Sequence, residues 1–111
     1  MSEPIRRYSE FWPYYLREHA KPQTRALHYL GTGLATAVMV GLGITGRFWL
    51  VPLVLVAGYG PAWAAHFFVE KNRPATFTYP LWSLISDYRM AWTWATGWLG
   101  TELTRAGVHT S

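Results

Sequence analysis

The sequence predicts an all-α integral membrane protein: a four-helix arrangement in which a central transmembrane hairpin is flanked by two amphipathic or interfacial helices, forming one domain over residues 1–111. Three observations predict it. Residues 26–45 and 48–69 contain no Asp, Glu, Lys or Arg and are separated only by Gly46-Arg47, and a helix of about 20 residues rises roughly 30 Å, enough to cross a bilayer core. The 111 residues include seven Trp and seven Tyr, the side chains that collect at membrane–water interfaces. Finally, Arg47 is the one residue among ten Lys and Arg that lies between residues 26 and 70. By the positive-inside rule this puts both termini in the cytoplasm and the hairpin tip on the far side.

Taken in order, residues 2–19 read as the first flanking helix, starting at Ser9 or bent at Pro13. Phe11, Tyr14, Tyr15 and Leu16 form its apolar face, and Arg6, Arg7, Arg17 and Glu18 stay in water. Pro22 suits the opening of the next helix, because a first-turn residue needs no N–H partner within the helix. Gly31, Gly33, Gly41 and Gly43 dilute the first apolar run and allow close helix contact in lipid. In the second run Pro52 fits a first turn, and Gly60-Pro61 predicts a kink about one turn before His66. After Asn72-Arg73-Pro74 and the loop ATFTYP, residues 81–103 form the last helix. Its apolar stripe is Leu81, Leu84, Ile85, Tyr88, Trp92, Ala95 and Leu99, and Trp82, Trp92, Trp94 and Trp98 suggest an interfacial belt. Soluble core helices are the alternative, since the runs are short and the mean hydropathy is near neutral.

Composition narrows the chemistry. The absence of Cys removes thiolate ligands, iron–sulfur clusters and disulfides, so any metal must be held by His, carboxylate or water. The formal charge of +4 comes from basic residues spread along the chain, without a nucleic-acid recognition motif. The first apolar run begins near Ala26, after three acidic residues, which argues against a cleavable signal.

The hairpin supplies the argument for a site. His28 lies nineteen residues before Arg47 and His66 nineteen after it, so both sit about 28 Å from the tip at 1.5 Å per residue. Two antiparallel helices in contact can turn both imidazoles toward one metal. His19, nine residues before His28 and across the Pro22 turn, can fold back to the same level, and Glu70 follows His66 at i+4 on the same helix face. Imidazole and carboxylate ligands suit iron(II) or zinc, and two His with one carboxylate and open positions describes a non-haem iron oxygenase. The competing reading is that these histidines form ordinary hydrogen bonds between helices. Asp87, which shares a face with Ser83, is either an acceptor that orients a ligating imidazole or the partner of Arg73 or Arg89. His109 falls in a Gly- and Thr-containing tail and reads as solvated.

These residues also carry a resemblance. His19, His28 and Gly31, followed by the run His66, Glu70, Asn72, Pro74, Ala75 and then Pro80, Ser83, Leu84, Asp87 and Met90, resemble a family of small membrane proteins once classed as a domain of unknown function. Its fungal members include an iron-dependent 2-hydroxy fatty acid dioxygenase of the endoplasmic reticulum. The resemblance spans roughly residues 8–95. It implies an iron(II)-dependent dioxygenase that removes C1 from a 2-hydroxy fatty acid, with Fe(II) as cofactor and the fatty acid, dioxygen and membrane lipid as partners. By the same match His19, His28 and His66 are the essential histidines; in the dioxygenase hypothesis they hold the metal, Glu70 is a fourth ligand or base, Asp87 takes part in catalysis, and Arg25, Asn72 and Arg73 meet the substrate. For a compact, basic chain of bacterial appearance the expected location is the inner membrane. Two other classes compete with this reading: a metal-free membrane scaffold and a zinc-dependent lipid hydrolase.

Overall fold

The computed structural model describes residues 4–108. Among them every regular element is helical: α1 (Tyr8–Arg17), α2 (Pro22–Thr45), α3 (Pro52–Ala64), α4 (Pro80–Thr96) and α5 (Leu99–Arg105). A π-helical segment, Ala65–Glu70, continues α3, and 3-10 turns occupy Phe48–Leu50 and Ala75–Phe77. The chain forms two compact units, one running Lys21–Pro74 and the other combining the described residues before Lys21 with those from Ala75 onward.

The first unit is the expected hairpin. Pro22 opens α2 and Lys21 precedes it in extended conformation, so the helix starts four residues before the uncharged run and includes Arg25. Gly46, left-handed at φ 73°, ends α2, a conformation that a residue without Cβ adopts without steric cost. Pro52 then opens α3, and α2 packs against α3. The tightest point of this packing is Gly31 against Gly58. A Cβ on Gly31 would overlap the Gly58 carbonyl oxygen, and one on Gly58 would lie 3.2 Å from the Ala35 Cβ. Gly33, Gly41 and Gly43 face open space and do not contribute to this approach.

Pro22–Thr45 and Phe48–Glu70, of 24 and 23 residues, are long and apolar enough to cross a membrane. Only 17% and 11% of their apolar stretches are buried, whereas the core helix of a soluble protein is buried along most of its length. The second run departs from α geometry just beyond the position of the expected kink. Pro61 lies inside α3, and the irregular turn comes later, where residues 65–70 widen to π-helix. That segment stops at Lys71, which is left-handed at φ 60°, and the Asn72 N–H closes it on the His66 carbonyl at 2.9 Å.

In the second unit α1, α4 and α5 pack on one another. Among the described residues, the helix expected over 2–19 spans Tyr8–Arg17, with Pro13 inside it. Phe11, Trp12, Tyr15 and Leu16 are buried, as are Met90, Leu99, Leu103 and Ala106. Rings cluster around Phe11, whose centroid lies 5.3 Å from that of Tyr79 and 5.5 Å from that of Trp82. The last helix expected over 81–103 is two helices, because Gly97, left-handed at φ 85°, terminates α4. Most of the expected apolar stripe of α4 faces outward. Leu81 and Trp92 of the expected stripe are 67% and 70% exposed, and Leu84, Ile85 and Tyr88 are exposed with them, while Ser83, Ser86, Met90 and Thr93 are buried. Small hydroxylated residues let α4 pack closely; Ser86 and Thr93 find local partners, while the Ser83 hydroxyl is buried without one among the described residues. The Ser86 and Tyr8 hydroxyls bond at 2.9 Å, and the Thr93 hydroxyl donates to the Met90 carbonyl. The large apolar side chains are left facing outward. His109 lies outside the described residues.

Candidate metal centre

The hairpin brings His28 and His66 together. Their Nε2 atoms are 3.1 Å apart and the rings meet edge to face, with centroids 5.0 Å apart and planes at 83°. Both side chains are buried. The His66 Nδ1 is 2.6 Å from the Asn72 amide oxygen. An amide oxygen only accepts, so the ring proton sits on Nδ1 and Nε2 presents a lone pair. Two imidazole nitrogens at this separation either share one proton or turn two lone pairs to a metal. For a metal–nitrogen bond of about 2.1 Å, neighbouring ligands lie about 3 Å apart at right angles and about 3.4 Å apart at the tetrahedral angle. The observed spacing falls within that range, so the pair fits one edge of a coordination polyhedron.

His19, in the other unit, is also buried. Its Nδ1 is 2.6 Å from the Tyr15 carbonyl oxygen and its ring stacks on that of Tyr15. As at His66, an oxygen acceptor fixes the proton on Nδ1, the arrangement commonly found behind metal-bound imidazoles. Asp87 accepts a hydrogen bond from the Tyr15 hydroxyl. The carboxylate is therefore connected to the residue that carries His19.

Glu70 follows His66 by four residues, and its Oε2 accepts from the Lys21 N–H at 2.7 Å and the Thr24 hydroxyl at 2.6 Å. Lys21 Nζ in turn donates to the Val69 carbonyl at 3.0 Å. These bonds tie the end of the π-helical segment to the first turn of α2. Asn72, expected at the substrate, gives its amide oxygen to His66. Arg25 is half-buried near the start of α2 and Arg73 is exposed. The sequence reading did not include Thr24 or Lys21, and it treated Tyr15 only as an apolar-face residue. Thr24 carries one faint signal, a hydroxyl one turn before His28.

A family model described as "2-hydroxy-palmitic acid dioxygenase Mpo1-like" matches residues 5–99. The chain belongs to the Mpo1-like family. The Mpo1-like match includes all of α1 to α4 with the three buried histidines, Glu70 and Asp87, and it ends where α5 begins. No curated protein and no solved structure matches the chain.

Proposed function

We propose that the protein is a membrane-embedded, iron(II)-dependent dioxygenase that removes C1 from 2-hydroxy fatty acids. The observation that carries this reading is the buried His28–His66 pair, with nitrogens spaced as neighbouring metal ligands, inside a chain of the Mpo1-like family. In this reading His19 supplies a third imidazole. It precedes by only two residues Lys21, whose N–H is held by Glu70, and its own Nδ1 is occupied so that Nε2 is the ligating atom. Three protein nitrogens leave open positions, as an oxygenase requires.

Iron(II), when bound, supplies the one-electron chemistry that lets dioxygen react with a carbon substrate. The overall conversion balances without a further reductant: a 2-hydroxy acid and dioxygen give the acid one carbon shorter, carbon dioxide and water. The protein's own side chains hold and orient. Asn72 fixes the tautomer of His66, Tyr15 fixes that of His19, and Arg25 with Arg73 neutralises the substrate carboxylate from the aqueous side. The outward-facing apolar surfaces of α2, α3 and α4 keep the acyl tail in lipid, where each buried CH₂ contributes about 0.8 kcal/mol. Both termini then lie in the cytoplasm and Arg47 on the opposite side.

The test is mass spectrometry of long-chain 2-hydroxy acids incubated with purified, iron-loaded protein in detergent, with and without dioxygen. The expected result is an oxygen-dependent product one carbon shorter and little turnover of unsubstituted or 3-hydroxy acids. Folded, iron-loaded protein that consumes no 2-hydroxy acid over a range of chain lengths would sink the activity. The same 3.1 Å spacing also suits an N–H···N hydrogen bond, which is what a metal-free scaffold would contain. Metal analysis of protein purified without nickel affinity separates the two readings.

A further inference from the structure

Glu70 and Thr24 stand one turn outside the histidine pair, on opposite sides of the hairpin. Thr24 precedes His28 by four residues and Glu70 follows His66 by four, and the two side chains meet through a 2.6 Å hydrogen bond as the histidine nitrogens meet across 3.1 Å. We propose that Glu70 is a positioning residue and not a metal ligand. With Thr24 and the Lys21 N–H it forms a clasp that sets the distance between His28 and His66. This inference rests on the metal-centre reading above.

Three observations support it. Two donors converge on the same carboxylate oxygen at 2.6 and 2.7 Å, short, charge-assisted bonds that hold the carboxylate against the first turn of α2. Thr24 is fully buried, so its hydroxyl, left without an acceptor, would carry an unmet desolvation cost. Lys21 adds a second tie across the same gap, from Nζ to the Val69 carbonyl. On the other side of the histidines the two helices are held by the Gly31–Gly58 approach. The imidazole pair is thus bracketed, by backbone contact toward the hairpin tip and by the clasp toward its open end. Such a bracket matters most at an end where the helix has already loosened to π geometry.

The experiment uses the full chain in detergent with cobalt(II) as the probe, because its absorption spectrum reports the ligand set and its titration reports affinity. Circular dichroism checks that each variant is folded. Thr24→Val and Glu70→Ala are each expected to weaken cobalt(II) binding about 10- to 100-fold. The double variant is expected to be no weaker than the worse single one, because both remove the same tie. Thr24→Ser keeps the hydroxyl and is expected to bind within about twofold of wild type. The spectrum of cobalt bound to Glu70→Ala should match that of wild type, since no ligand is lost. A changed spectrum in Glu70→Ala, beside unchanged affinity in Thr24→Val, would show that Glu70 is a ligand and overturn the clasp. Additive losses in the double variant, or a folded Thr24→Ser protein as weak as Thr24→Val, would overturn it too. Wild-type protein that binds no cobalt(II), or His66→Ala protein that binds as well as wild type, defeats the metal centre itself and the clasp with it.

Discussion

Tyr15 holds His19 from two directions: its ring stacks on the imidazole with centroids 4.0 Å apart, and its carbonyl takes the Nδ1 proton at 2.6 Å. Its hydroxyl is meanwhile bound to Asp87, which fixes the ring on the imidazole from its far end. Tyr15→Phe keeps the ring and the backbone but leaves the carboxylate without this donor. Hydrogen bonds to charged groups contribute about 1.5–3 kcal/mol, so a loss of about 2 kcal/mol is expected in unfolding measured in detergent. Asp87→Asn retains an acceptor and should lose less. Equal stability of Tyr15→Phe and wild type would mean that the hydroxyl contributes nothing.

The metal itself gives the second prediction. His28→Ala and His66→Ala should each abolish bound metal in elemental analysis of protein purified without nickel, and the double variant should be no worse, since the two residues act as a unit. His109→Ala should bind as wild type does. Full metal retention by His66→Ala would remove the basis of the site.

Helix spacing gives the third. A methyl group at Gly31 would overlap the backbone of Gly58, and a carbonyl oxygen cannot move aside as a flexible side chain does. The helices would have to separate, an overpacking cost of about 1–3 kcal/mol. Gly31→Ala is therefore expected to lower both thermal stability and metal affinity. Gly33→Ala, on the same helix and facing open space, is the control and should leave both unchanged. Matching losses in the two variants would point to helix flexibility rather than close approach.

The absence of Cys makes topology directly measurable. With an impermeant maleimide in intact cells, Arg47→Cys protein should be labelled, and Ser2→Cys and Ser111→Cys proteins only after permeabilisation. The reverse pattern would invert the orientation, and equal labelling of all three would argue against a spanning hairpin.

The hairpin was legible in the sequence because its determinants are local. Pro22 and Gly46 mark the two ends of α2, and equal counts from Arg47 bring His28 and His66 to one level. Partners whose recognition depends on geometry were not legible. Glu70 reaches a backbone N–H at Lys21, and every residue except proline has one, so no residue type announces it. At His66 and Glu70 the four-residue spacing anticipated a shared direction, yet the π-helical turn and the Thr24 hydroxyl decided where the carboxylate went. On α4, periodicity identified which residues share a face but not which face turns inward, and Gly97 divided a Trp-rich run that reads as one continuous helix.

The outward-facing apolar stripe of α4 makes a statement about which sequences the fold can accept. In a water-soluble helix the inner positions demand bulk and the outer ones tolerate nearly any polar residue. Here Ser83 and Ser86 are buried while Leu84, Ile85 and Trp92 are exposed, so the tolerance should be reversed. Leu, Ile, Val and Phe should exchange freely at 84, 85 and 92, with charge forbidden, and nothing larger than Ala or Thr should survive at 83 and 86. A library spanning residues 81–93, selected for folded protein, would therefore record the surrounding solvent as a pattern of permitted side chains.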